Sequence, residues 1–181
     1  VAVEQSALQT KAGIAPATAA AASTAPGPVC TIPHYDPDFW RQAELSELAN
    51  CYSYANNRLH GWEQPGQRSG FTDAVLSNGA TVGLYAEKDG LTKISSSQAC
   101  PNNQTKLALL WTNAGMSDYH WLRRDAEGTW SGKFGLFGAV SNLDYQGQVI
   151  TNPETAFPWF QLIGYYCACT APVPGLDGSV C

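Results

Sequence analysis

Asn50-Cys51-Tyr52-Ser53-Tyr54-Ala55-Asn56-Asn57-Arg58 is the stretch on which the reading of the fold turns. Tyr52, Ala55 and Leu59 recur at helical spacing behind the cysteine. That spacing predicts a buried helix over 51–59, closed at His60-Gly61, where glycine can take the left-handed cap. A helix start offers unsatisfied backbone N–H groups and the positive end of the macrodipole, which favour a thiolate over a thiol. Cys51 is therefore expected to have a lowered pKa and to act as a nucleophile. The competing reading makes Cys51 half of a disulfide or a small core residue.

Upstream of this stretch, Phe39, Ala43 and Leu48 lie near one face of a helix expected over 39–48, with Asp36 or Asp38 as its cap. His34, Asp36 and Asp38 have ligating side chains, but two prolines in Ile32-Pro33-His34-Tyr35-Asp36-Pro37-Asp38 point to a rigid loop, and no metal is expected. Residues 1–29 are rich in alanine, threonine, glycine and proline and cannot bury enough surface to offset their ordering entropy. They read as a flexible tail, linker or propeptide, ahead of one domain over 30–181.

Downstream, Gln64-Pro65-Gly66 is a turn, and Phe71 to Asn78 reads as a further helix stopped by Asn78-Gly79. Residues 80–85 fit a strand or continued helical packing. The pattern then changes. Lys106 to Thr112 is a continuous apolar run, as in a central strand. Tyr119 to Arg124 alternates and turns through Asp125-Ala126-Glu127-Gly128 into Thr129-Trp130-Ser131, a hairpin. Residues 140–145 and 148–150 flank a turn at Gln146-Gly147, and 161–169 form a last strand. Helices first and strands after predict an α+β domain, with N-terminal helices packed on an antiparallel sheet.

Composition narrows the function. The 181 residues suffice for one domain. Charged residues make up 14% and the net charge is −5, which argues against nucleic acid and anionic membrane surfaces. No run of 18 apolar residues is present, so no membrane span is expected, and without a basic-then-apolar start any export signal is expected to be already removed. Six cysteines, at 30, 51, 100, 167, 169 and 181, fit a secreted or periplasmic protein with disulfides. None has Cys-x-x-Cys spacing. Cys30 is expected to pair with Cys181 or Cys169, closing two turn-rich flanks. A free Cys51 leaves five cysteines, so one more must stay unpaired or bond to another chain.

A nucleophilic cysteine needs a base, and the base an orienting group. His120 lies on a predicted strand among aromatics, and Asn142 and Asp144 follow on a neighbouring one. Either could accept the ring N–H.

This order of cysteine on a helix, histidine on a strand and a polar residue on the next resembles papain-like hydrolases. The compact NlpC-type cell-wall peptidases are closer, over roughly residues 45–167. Asn50-Cys51-Tyr52, Gln64-Pro65-Gly66, Asp118-Tyr119-His120-Trp121-Leu122-Arg123 and Thr129-Trp130-Ser131-Gly132-Lys133 also look like a group of secreted proteins of unestablished substrate. Their hallmark is an Asn-Cys-Tyr stretch, a Tyr-His-aromatic strand and a Trp-Ser-His-Lys turn. This chain has Gly132 where that group has histidine. The resemblance implies a secreted cysteine hydrolase cutting an amide bond, without cofactor, in a peptide or cell-wall polymer. Cys51 would attack, His120 carry the proton, and Asn142 or Asp144 orient it. Asn50 or the Cys51 amide would bind the oxyanion, with Tyr52, Gln64 and Trp121 as further substrate contacts. The alternative is a non-catalytic, disulfide-stapled secreted monomer that binds a polymer or protein through Trp62, Trp121 and Trp159.

Overall fold

The computed structural model describes residues 29–72, 76–114 and 117–173. Residues 1–28, read above as a tail, and Cys181 lie outside that set.

The architecture is dominated by one six-stranded antiparallel sheet, not by a layer of N-terminal helices. Its strands are β1 (Thr92–Ile94), β2 (Thr105–Thr112), β3 (Asp118–Arg124), β4 (Trp130–Lys133), β5 (Val140–Ser141) and β6 (Gln161–Ala168). They lie side by side in the order β1-β6-β2-β3-β4-β5. The expected α+β arrangement is corrected because the two helices expected over 39–48 and 51–59 give only single turns: α1 (Pro37–Trp40), α2 (Ala43–Ser46) and α3 (Cys51–Ala55). Gln42, with φ −56° and ψ 131°, breaks the first segment in two.

In α3 the asparagines stop the helix four residues early. Asn56 donates its side-chain amide to the Tyr52 carbonyl, competing with the backbone. Asn57 takes the left-handed conformation at φ 54°, and Arg58 N–H bonds back to the Ser53 carbonyl, the pattern of a Schellman cap. The longest helix, α4 (Gly79–Lys88), begins where a stop was expected. Asn78 Oδ1 accepts from Thr81 N at 2.9 Å, so Asn78 is an N-cap. Glycine at 79 and 83 lets α4 settle against Ile163 and Tyr166, into which a Cβ at either position would run.

Both faces of the sheet are covered. On one, Leu107, Leu109, Trp121 and Tyr166 meet Cys51, Tyr52 and Ala55 of α3 and Val82 and Ala86 of α4. On the other, Ala108, Leu110, Leu122, Trp130 and Tyr165 lie under Ile150, Ala156 and Phe157. These last three belong to an irregular segment, 142–160, pinned by Trp130 N–H to the Ile150 carbonyl and Tyr145 N–H to the Ala156 carbonyl. The expected strands over 140–145 and 148–150 reduce to β5 and one bridge between Leu143 and Val149.

Covalent and polar links tie the periphery to this sheet. Disulfides join Cys30 to Cys169 and Cys100 to Cys167. The fully buried Arg123 guanidinium donates to Asp125 Oδ1 (2.8 Å), Asn57 Oδ1 (2.9 Å) and the carbonyls of His34 (3.0 Å) and Tyr54 (3.3 Å), and lies 4.1 Å over the Tyr54 ring. One side chain thus clamps the N-terminal loop, α3 and β3 together.

Candidate functional site

A cavity of about 310 Å³ opens beside the start of α3, and Asn50, Cys51, Trp62, Gln64, His120 and Phe134 are among its walls. Cys51 carries a free, buried thiol. Its Sγ lies 4.0 Å from the Tyr119 carbonyl and accepts from the Trp121 backbone N–H, beside the stretch of β3 that β4 leaves unpaired. Burial pushes the thiol up to about 12, helped by the nearby Asp118 carboxylate; the N–H groups of Trp121 and of the helix start pull the other way and lose.

His120 comes from β3, but its ring lies among aromatics. It stacks on Phe134 (centroids 4.3 Å apart, planes 10° apart), with Phe157 and Phe160 at 6.0 and 5.9 Å. Nε2 is buried without a hydrogen-bond partner, and burial pulls the imidazole down to about 3. Glycine at 132 makes room for this ring, because a Cβ there would stand 2.7 Å from Nε2. The thiol is thus held protonated and the imidazole neutral, the reverse of a thiolate–imidazolium pair.

The remaining expected site residues have other tasks. Asn50 accepts from Ser53 N at 2.9 Å and donates to the Glu63 carbonyl at 2.8 Å, so both ends of its amide cap and brace α3. Tyr52 is buried, donating to Asp89 Oδ2 at 2.9 Å and accepting from Arg68 at 3.1 Å. Trp121 is fully buried against Tyr52 and Tyr166, so it offers no surface to a polymer. Gln64 accepts from the Tyr119 hydroxyl at the cavity wall. Asp144 closes its own turn, accepting from Gln146 N and Gln148 N at 2.8 Å each, and the Asn142 carbonyl accepts from Ile150 N. Neither residue is among the walls of the cavity that holds His120. His34 pairs with Glu127, Asp36 caps α1 and Asp38 pairs with Arg41.

Sequence reasoning missed Phe134, Phe157 and Phe160, which set the character of the His120 pocket. The signal was present in Phe157-Pro158-Trp159-Phe160, an aromatic run with neither strand nor helix periodicity.

No family model matches the chain and no solved structure matches it. Insoluble matrix shell protein 1 of Ruditapes philippinarum is 32% identical over 143 residues, 76% of this chain and 90% of that protein. The chain belongs to the family of that shell protein.

Membership in the insoluble matrix shell protein 1 family overturns the reading as a secreted cysteine peptidase or amidase. The relative is named for an insoluble shell matrix and not for hydrolysis, and the uncharged Cys51 and His120 agree with it. The two disulfides place the folded chain in an oxidising compartment. Among the described residues no helix is long and apolar enough to cross a membrane.

Proposed function

We propose that this chain is a non-catalytic, secreted, disulfide-stapled module of an insoluble extracellular matrix, which it joins by binding a polymer or protein of that matrix. The observation that carries the reading is its similarity to a shell matrix protein along 90% of that protein's length. The inert state of Cys51 and the polar anchoring of Asn50 and Tyr52 support a scaffold held for rigidity, not for turnover. An antibody against the chain, applied to fractionated source material, should find it in the extracellular fraction that resists salt and detergent extraction. Recovery in the soluble or intracellular fraction would refute the proposal.

A further inference from the structure

The loop between β1 and β2 carries Asn103-Gln104-Thr105, the acceptor triplet for N-linked glycans. Of the nine asparagines in the chain, Asn103 alone has a serine or threonine two places on with no proline between.

The fold leaves the acceptor amide in the open. Asn102 and Asn103 are exposed and take the left-handed conformation, with φ 52° and 57°, which asparagine adopts at low cost. Gln104 N–H closes the turn on the Pro101 carbonyl at 2.9 Å. The Asn103 side chain has no partner among the described residues, so a bulky group on its Nδ2 displaces no contact. The Cys100–Cys167 disulfide fastens this turn to β6.

The other half of the triplet is hidden. Thr105 is fully buried; its hydroxyl shares a 2.7 Å hydrogen bond with that of Thr170 and lies 3.3 Å from the Thr31 carbonyl. Thr105 also sits opposite Ala168 in the β2–β6 ladder. An enzyme that must read the Asn103 amide and the Thr105 hydroxyl together meets both only while β6 is undocked.

We infer that Asn103 carries an N-linked oligosaccharide, added during secretion and before β6 pairs with β2, an inference that rests on the secreted half of the matrix-module reading. The co-reactant is a lipid-diphosphate-linked oligosaccharide. Asn103 Nδ2 attacks the anomeric carbon of its terminal sugar. The new N–C bond forms as the C–O bond to the diphosphate breaks, the lipid diphosphate leaves, and one amide proton passes to solvent. Two disulfides mark an oxidising secretory compartment, and the family includes a protein from a shell-building animal, whose secretory route attaches such glycans.

The test is mass mapping of the native protein from its source after N-glycosidase digestion in heavy-oxygen water. The intact mass should fall, and Asn103 should become labelled aspartate. Secreted from animal cells, Asn103→Asp, which keeps the left-handed turn, should lose the glycan, and Thr105→Ser, which keeps the triplet and the buried hydroxyl, should retain it. Purified transferase with its lipid-linked donor should modify the reduced, unfolded chain more than about a hundredfold faster than the folded one, since access to Thr105 needs opening of the β2–β6 pair. Equal rates would overturn the order of events. Extracellular protein with Asn103 unmodified would overturn the glycan and leave the module reading standing. A glycosylated Asn103 on a chain that salt and detergent extract would keep the glycan and remove the matrix reading.

Discussion

Alkylation of Cys51 tests the physical state of the site most directly. The thiol is raised to about 12 by burial, so at pH 8 only about one molecule in ten thousand carries a thiolate. An ordinary cysteine, with a pKa of about 8.5, is roughly a quarter thiolate at that pH. Because the thiolate is the attacking species, iodoacetamide should label native Cys51 roughly three orders of magnitude more slowly than free cysteine. The rate should climb about tenfold per pH unit from pH 8 to pH 10, without the inflection near 8.5 that a merely hindered but ordinary thiol would show. Denaturant should restore the free rate. His120→Gln should leave native labelling unchanged, since the neutral imidazole lends the sulfur no positive charge. Quenched time courses read by intact mass would measure all of this. Fast labelling at pH 6, slowed by His120→Gln, would show a stabilised thiolate and refute the reasoning.

Three further perturbations act on the disulfides, Arg123 and His120. Replacing Cys30 and Cys169 together by serine opens a loop spanning a separation of 139 residues and should cost about 3–5 kcal/mol in urea unfolding, with both labels of the Cys100–Cys167 pair still absent under non-reducing mapping. Arg123→Met removes the cation from buried Asp125 and the donors from three further acceptors and should destabilise by about 3–5 kcal/mol, whereas Arg124→Met, on the exposed side of β3, should change stability by less than about 0.5 kcal/mol. His120 has a folded pKa of about 3 against 6.5 unfolded, so the unfolded state takes up the proton first; stability is full above pH 6.5 and falls towards pH 3 at up to about 1.4 kcal/mol per pH unit. Unfolding free energy should therefore drop by about 2 kcal/mol from pH 6.5 to pH 5, and His120→Gln should flatten that slope.

The central strands were legible because their signals are local. The apolar run at 106–112, the alternation at 119–124 and the apolar stretch at 161–169 each fall within a residue of β2, β3 and β6. The helices were misjudged because asparagine and glycine are ambiguous. Asn78-Gly79 reads equally as a stop or a start, and only the bond from Thr81 N to Asn78 decides it. Asn56 and Asn57 looked like helix interior, and the side chain of Asn57 is held by Arg123 and Ala171, which lie far along the chain. The same limit explains Cys51. Its position at a helix start is visible in sequence and argues for a lowered pKa; its burial against β3 is a tertiary fact, and burial is the larger effect. The cover over the second face was misread as two strands around Gln146-Gly147; the turn is there, but only β5 and the Leu143–Val149 bridge pair, and residues 151–160 carry no periodicity.

Strand order also sets a timetable for folding. β2, β3 and β4 are neighbours in sequence and in the sheet, so that meander can assemble from local contacts as soon as it is made. β6 instead inserts between β1 and β2, far from both along the chain, and pairing of this kind is slow. Until β6 arrives, the inner edge of β2 stands open with Leu107 and Leu109 uncovered, an invitation to pair with another chain. Cys167 lies on β6 and Cys169 just beyond it, so each disulfide waits for that same docking step. The covalent links therefore lock a sheet already completed, and the interval before them is when this protein is most exposed to aggregation.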